Sequence, residues 1–493
     1  MENFSYFIQK LGEFGIADQV KHPLVLASGL PFAKPHEIVI FETGELGEVF
    51  SVQKKNVEIL VFSENPIKAG VKIARTDKTL SIPVGKYLLG QSVDPLCRAI
   101  YNTARHDFKP EEYREIDSTP AGIESRARVK TPFKTGVSVV DIMIPLGKGQ
   151  KELIVGDRKT GKTYFLLSAI KNQINEGAIA IYAGIARRKS DIKRVWEFFE
   201  KEKLQDKSVI VASSSNDSPS LIYLTPYTAM TIAEYFKDQG HDVVLALDDL
   251  SIHAKFYREI SLLAKRFPGR DSYPGDIFYT HARLLERAGN FKHKKKGQVS
   301  ITCLPIAEII EGDFTGYIST NLMGITDGHI FFDSNIYYRG RRPAVNTSLS
   351  VTRVGAQTQS KVKKSINREL TAFLALYDRM QNLSHFGTEL SESVKNILDT
   401  GEKIYDFFNQ PYSLIIPEEV QTVIFSMIWL RLIDETKEDS MQEFRENLTR
   451  AFDKDQNVKQ FLSQLIQAEN FNQLLGNIAK NKDKIVEMCK RKV

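Results

Sequence analysis

Three patterns of apolar and polar positions follow one another along the chain. Residues 1 to 20 form a short amphipathic leader. From about residue 24 to 84, brief apolar runs at 37–41, 47–52 and 57–62 are separated by Gly, Asn, Lys and Pro. Short strands at close spacing with turn residues between them predict a small β-barrel, so that leader and barrel occupy residues 1 to 84, with Pro83 and Gly85 at the boundary. From 85 to 359 the runs become continuous apolar stretches, at 153–155, 178–184, 208–212 and 242–248, alternating with longer helical patterns. That alternation predicts an α/β domain with a mostly parallel sheet. From 360 to 493 apolar positions recur at helical spacing, as in Leu462, Leu465 and Ile466, then Phe471, Leu474 and Leu475, and no proline follows Pro417. A C-terminal α-helical bundle is expected there.

Composition narrows the class. A chain of 493 residues exceeds one core and should form about two to four domains. Apolar residues at 42% and charged residues at 26% are ordinary for an ordered globular protein. The net charge of +6, small beside 67 basic and 61 acidic residues, points to no nucleic-acid partner, since such binding concentrates Lys and Arg on one surface. The dense run Lys292-His293-Lys294-Lys295-Lys296 reads as a solvated loop. The barrel region also lacks the aromatic cluster that a hexameric RNA translocase would need. Cys97, Cys303 and Cys489 lie far apart without metal-ligand spacing, as thiols of a reducing compartment do. The N-terminus has no secretory pattern and no apolar run reaches the roughly 18 to 20 residues of a membrane span. A cytoplasmic location is expected, peripheral on the inner face of the cell membrane.

The chemistry concentrates at one turn. The apolar run Leu153-Ile154-Val155 enters Gly156-Asp157-Arg158-Lys159-Thr160-Gly161-Lys162-Thr163, and a helical pattern opens at Tyr164. Backbone N–H groups and the positive helix end converge there, which favours a phosphate. The two glycines let the backbone wrap closely, Lys162 reaches toward terminal phosphates, and the Thr163 hydroxyl suits Mg²⁺. This is a P-loop, and ATP or ADP with Mg²⁺ is the expected ligand. The strand at 242–248 ends in Asp248-Asp249. A carboxylate at the end of a neighbouring strand holds Mg²⁺ through its water shell, and Asp248 is assigned that role. Asp249 reads as the N-cap before Leu250.

The residues around these motifs resemble the alpha subunit of the rotary F-type ATP synthase. The likeness runs in order over roughly residues 35 to 415. It includes Thr135-Gly136-Val137, Pro145-Leu146-Gly147-Lys148-Gly149-Gln150, Asp248-Asp249-Leu250-Ser251, Pro268-Gly269-Arg270 and Tyr273-Pro274-Gly275-Asp276. It continues through Arg283-Leu284-Leu285-Glu286-Arg287 and Arg342-Pro343-Ala344-Val345-Asn346 to Ser350-Val351-Thr352-Arg353-Val354-Gly355. Asp157-Arg158 after the first glycine is the alpha-type loop; that of the catalytic beta subunit is richer in small residues. The resemblance implies a barrel, a RecA-like α/β P-loop domain and a helical bundle. It further implies a head of three alpha-like and three beta-like chains around a gamma-like central stalk, in which the alpha chains bind Mg-ATP without turning it over. Arg353 then acts as an arginine finger into the neighbouring beta-like site, and Ser350 supports the same interface. Arg342 and Pro343 retain the family's purine pocket. Asn409-Gln410-Pro411-Tyr412 replaces its glutamine-bearing stretch, which leaves Gln410 as the candidate base-side residue and the base preference open.

Hydrolysis needs a group that orients the attacking water, usually a carboxylate or an amide. In the resembled family the beta subunit has Glu at that position and the alpha subunit Gln. This chain has Arg187, within Ala186-Arg187-Arg188-Lys189. A guanidinium, with a pKa above about 12, is no base near neutral pH, so the chain's own site is expected to be catalytically silent. Two roles stay open for Arg187, a phosphate or interface carboxylate as partner, or a solvated helix start. Lys159 stands where alpha subunits have Gln, and the leader is shorter than the arm that docks the peripheral stalk. The machine served is therefore a membrane sector or other surface machinery. The Lys-, Asn- and Phe-rich composition resembles F-type-like paralogues of wall-less bacteria, some associated with gliding. The competing enzyme reading is a self-sufficient homohexameric P-loop ATPase of the flagellar or secretion type, which needs the carboxylate that Arg187 replaces.

Overall fold

The structure, a computed structural model, describes residues 3–100, 109–384, 391–433 and 441–490. The chain forms two compact units, neither continuous in sequence: one gathers residues 1–127, 177–308 and 314–326, the other 128–176, 309–313 and 327–493. The barrel, the nucleotide-binding α/β region and the C-terminal helices expected from the apolar pattern are all present.

In the first unit Phe14–Lys21 (β1), Leu24–Ser28 (β2), Glu37–Phe41 (β3), Leu46–Val52 (β4), Val57–Val61 (β5) and Lys72–Thr79 (β6) close into a barrel in the order β1-β2-β5-β4-β3-β6. Side chains alternate across each strand, so Val25, Ala27, Val39, Phe41, Val49, Ile59 and Ile73 fill the interior. A Cβ at Gly47 would stand 2.7 Å from Ile59 Cγ2, so only glycine lets β4 pass β5 there. The leader divides in two. Asn3 caps the helix Phe4–Leu11 by accepting the Tyr6 N–H at 3.0 Å, and Phe7 packs that helix against Ile40 and Ala74. The residues after Gly12 become β1.

Among the described residues the same unit carries five parallel strands in the order Gly297–Glu308, Val243–Asp248, Ile179–Arg187, Ser208–Ser214 and Ser92–Val93, with Gly289–His293 antiparallel to the first. Val243 to Leu247 are buried on both faces, as are Ile179 to Ile185, which is why they read as unbroken apolar runs. The register sets Gly184 opposite Asp248. The strand runs on past this point to Arg187, which pairs with Ser214 on the other side. Lys294, Lys295 and Lys296 form the exposed turn of the antiparallel hairpin.

Two histidines meet in this unit's core. His253 Nδ1 lies 3.1 Å from His281 Nε2, and His253 Nε2 lies 3.1 Å from the Tyr223 carbonyl oxygen. With Nε2–H donating to Tyr223, neutral His253 accepts from His281 at Nδ1. Burial pushes His253 down to about 4 and His281 well below its ordinary value. The unfolded chain takes up these protons below about pH 6.5 and the folded chain does not, so the stability is complete above that pH and is lost as the pH falls toward 4. Between pH 7.5 and 5, His253 alone should remove about 2 kcal/mol of unfolding free energy, read as a lower urea midpoint. His253→Phe should flatten that dependence.

In the second unit Glu152–Gly156 runs parallel to Gly328–Phe332, which pairs antiparallel with Val345–Thr352. Among the described residues seven helices follow: Lys361–Ser384, Glu392–Phe408, Glu418–Trp429, Met441–Lys454, Gln456–Leu465, Phe471–Lys480 and Lys482–Lys490. Ser391, Asp455 and Asn470 cap three of them. Phe425, Trp429 and Phe471 pack the helices together. Arg445, almost fully buried, donates from Nη1 to the carbonyls of Phe407 and Asn409 at 3.1 and 3.0 Å and so closes the end of Glu392–Phe408. The three cysteines are buried, and none is in a disulfide. No helix among the described residues is long and apolar enough to cross a membrane.

Candidate functional site

The strand Glu152–Gly156 is buried throughout and ends at Gly156, where a Cβ would sit 2.3 Å from the Phe332 carbonyl oxygen. A side chain there would force the paired strands apart. The helix Lys162–Asn175 begins after Gly161, whose φ of 99° disfavours any L side chain. The turn between them is braced from within. Thr160 Oγ1 donates to the Asp157 carbonyl at 2.8 Å, and Asp157 Oδ1 accepts the Gly312 N–H at 3.0 Å. Lys162, buried, donates from Nζ to the Gly156 carbonyl at 2.8 Å and to that of Asp157. Arg158 and Lys159 are exposed, and Thr163 is half-buried in the first helical turn. Phe165 anchors the helix against Phe332, with ring centroids 5.8 Å apart. A loop held open by glycines, a helix N-terminus and an ammonium group thus meet at one point, which suits an anion. The Thr163 hydroxyl is an oxygen donor of the kind that Mg²⁺ takes.

A second group of residues lies beside the same helix. Tyr412 packs on Tyr164 with ring centroids 4.6 Å apart, and its carbonyl accepts from Ser168 Oγ at 2.7 Å. Gln410 is buried, and its amide is consumed by backbone. Oε1 accepts the Ser138 N–H at 3.0 Å, while Nε2 donates to the carbonyls of Gly136 and Leu414 at 2.7 and 2.6 Å. Arg342 Nη1 donates to the Tyr337 carbonyl at 2.6 Å, and the guanidinium lies 3.5 Å over the Tyr337 ring. The Arg342 carbonyl accepts the Gln410 N–H at 2.6 Å, so Arg342-Pro343 and the 409–412 segment are brought together. The pairing of Tyr164 with Tyr412, which the sequence did not reveal, joins the residue after the phosphate loop to the last residue of the 409–412 segment.

Arg353 stands just past the edge strand Val345–Thr352 and is exposed, with no ion pair among the described residues. Its backbone is held firmly. The Arg353 N–H donates to the Asp327 carbonyl at 3.2 Å, and Asp327 Oδ2 accepts the Lys151 N–H at 2.8 Å. Thr352 Oγ1 donates to the Pro145 carbonyl at 2.8 Å. A Cβ at Gly355 would come 1.8 Å from that same carbonyl oxygen, so the turn after Arg353 accepts only glycine. Ser350 faces inward. It accepts the Phe331 N–H at 2.9 Å and donates to the Asn346 carbonyl at 2.6 Å, pinning the register shift between the two strands.

Asp248 and Asp249 are buried at the end of their strand in the first unit. Tyr182 donates from its hydroxyl to Asp248 Oδ2 at 2.7 Å; burial pushes this phenol up to about 12, so it keeps its proton. Arg187 Nη2 is ion-paired to Asp248 Oδ1 and lies 3.7 Å from Asp249 Oδ2, while its Nε donates to the Asp248 carbonyl at 3.2 Å. Asp249 Oδ1 accepts the Ile252 N–H at 2.7 Å, as an N-cap does. Arg187 is therefore neither a solvated helix start nor free for an outside carboxylate. Its partners come from its own chain, and the parallel register that sets Gly184 beside Asp248 supplies them.

A barrel, a P-loop between a buried strand and a helix, and a helical C-terminal region define a nucleotide-binding chain of the P-loop class. The profile of the ATP synthase alpha/beta family, nucleotide-binding domain, matches residues 136–352, and that of the ATP synthase alpha/beta chain, C terminal domain, matches residues 359–485. The chain belongs to this ATP synthase alpha/beta family, and within it is alpha-subunit-like. It is 41% identical over 397 residues to ATP synthase subunit alpha of Clostridium acetobutylicum, covering 80% of this chain and 78% of the relative. It is 37% identical over 485 residues to that of Petrotoga mobilis, covering 97% and 92%. With that of Mycoplasmopsis synoviae it shares 35% over 491 residues, covering 99% and 92%.

Proposed function

We propose that this chain is a nucleotide-holding, catalytically silent alpha-type subunit of an F-type or F-type-like rotary ATPase head. It alternates with catalytic beta-like subunits around a gamma-like stalk and lends them Arg353. The observation that carries the silent site is Arg187. Where the resembled catalytic chains place a Glu, this chain has a guanidinium ion-paired to Asp248, and it cannot take a proton from water. The exposed Arg353 on a rigid turn suits a group that acts outside its own chain, since an arginine already paired at home would be poorly free to do so. ATP or ADP sits on the loop from Gly156 to Thr163, and the Thr163 hydroxyl is the proposed protein ligand of Mg²⁺. The Asp248 carboxylate, the second Mg²⁺ group assigned from the sequence, already shares its charge with Arg187, which weakens its pull on a dication. Ser350 and Gln410 act by shaping backbone rather than by touching nucleotide. The head is peripheral at the inner membrane face, where it serves a membrane sector or other surface machinery.

The test is native mass spectrometry of the assembly purified from its own cells, with ATP turnover measured on the full chain alone. The expected result is three copies of this chain with three of a second P-loop chain bearing the Glu, retained nucleotide, and no turnover by this chain alone. A homohexamer that hydrolyses ATP without that partner would sink the reading.

A further inference from the structure

Next to the phosphate loop lies an exposed aromatic surface. Tyr164 directly follows Thr163, the last residue of the phosphate loop, and its ring rests on Tyr412 with the planes tilted by 37°. The two tyrosines remain 42% and 48% exposed. Tyr412 is not a loose loop residue: Ser168 Oγ holds its carbonyl at 2.7 Å and Lys171 Nζ holds that of Ser413 at 3.1 Å, both from the helix that Lys162 opens. The aromatic pair is thus fixed to the same rigid element as the phosphate-binding groups. Tyr164 stands two residues after Lys162, so the aromatic pair borders the loop that Lys162 serves.

The polar groups nearby are committed elsewhere. Both amide hydrogens of Gln410 go to the carbonyls of Gly136 and Leu414, and its oxygen accepts from the Ser138 N–H and hydroxyl. An amide offers two donors and one acceptor oxygen, so none is left to read the edge of a base. Arg342 Nη1 is likewise turned to the carbonyls of Tyr337 and Arg341. The exposed rings of Tyr164 and Tyr412 offer π surface beside these groups.

We propose that Tyr164 and Tyr412 form a stacking platform for the nucleobase. The two rings already touch, so the base lies on an exposed outer face rather than between them. Recognition by stacking scales with ring area and is blind to the hydrogen-bonding edge. The site therefore favours purines over pyrimidines and distinguishes adenine from guanine only weakly. This inference rests on the nucleotide-binding reading above.

The test is equilibrium binding of ATP, GTP, CTP and inorganic tripolyphosphate to the full chain and its Tyr164→Ala, Tyr412→Ala, Tyr164→Phe and Tyr412→Phe variants. ATP and GTP should bind within about threefold of each other and CTP roughly tenfold more weakly. Each alanine change should weaken ATP and GTP by roughly tenfold and leave tripolyphosphate unchanged, while the phenylalanine variants, which keep the π face and the packing, retain affinity. A preference for ATP over GTP beyond about tenfold overturns the platform. So do alanine variants that bind ATP as the parent does, or that lose tripolyphosphate in equal measure. If the parent chain binds neither ATP nor tripolyphosphate, the nucleotide-binding reading itself fails and the platform with it.

Discussion

Arg353→Ala should lower ATP turnover by the assembled head by about 10³- to 10⁵-fold, the range an arginine finger supplies to phosphoryl transfer. Nucleotide binding by this chain should stay within about twofold, since nothing at its own loop is changed. The size of the effect comes from where charge develops. A transferring phosphoryl group spreads negative charge over its equatorial oxygens, and a guanidinium fixed beside them in a dry site stabilises that charge far more than water does. The structure holds the backbone of Arg353 through Asp327 and Lys151, and Gly355 keeps the following turn against Pro145. The side chain meanwhile stays exposed. Arg353→Lys keeps a positive charge but not the planar fork, so it should recover only part of the rate. The measurement is steady-state turnover of the reconstituted head, with melting temperature as the control for folding. Turnover unchanged by Arg353→Ala would remove the finger from the proposal.

Lys162→Ala should weaken ATP binding by this chain by roughly 10- to 100-fold, the worth of one charge-assisted contact to phosphate. Lys162 also braces the loop through the carbonyls of Gly156 and Asp157, so a loss of loop order contributes to the same number. Lys162→Met separates the two: it keeps most of the buried stem without the ammonium, and should lose as much ATP affinity while disturbing the packing less. Equilibrium binding to the full chain reads both variants. Because the site is proposed to be silent, the assembled head should keep part of its turnover when this chain carries Lys162→Ala. Complete loss of turnover with normal assembly would instead assign the chemistry to this chain.

How far the fold was legible depends on the range of the contacts involved. The barrel was readable because inward and outward positions alternate along each strand, as in Val39, Phe41 and Ile59. The leader was readable only in part. Amphipathicity marked it as a surface element, but the division at Gly12 into a helix and β1 depends on Phe7 finding Ile40 and Ala74. The role of Arg187 stayed open in the sequence because its partner lies 61 positions away. Gln410 looked like a base-side group because its neighbours in the chain do. Its hydrogen bonds run instead to a segment as far as 274 positions away.

The phosphate loop, the strand and helix that frame it, and the order of barrel, α/β region and helices were already readable in the sequence. All of these depend on residues adjacent in the chain: glycine spacing sets what the backbone can do, and apolar period sets which face is buried. How the charged and polar residues are spent depends instead on the folded chain. The parallel register that puts Gly184 beside Asp248 turns Arg187 onto a carboxylate of its own chain. The packing of the 409–413 segment on the loop helix consumes Gln410 and leaves Tyr164 and Tyr412 exposed. Hydrogen bonds and ion pairs are short-range and directional, so the partner of a polar side chain is fixed by which segments meet, and that is a property of the folded chain.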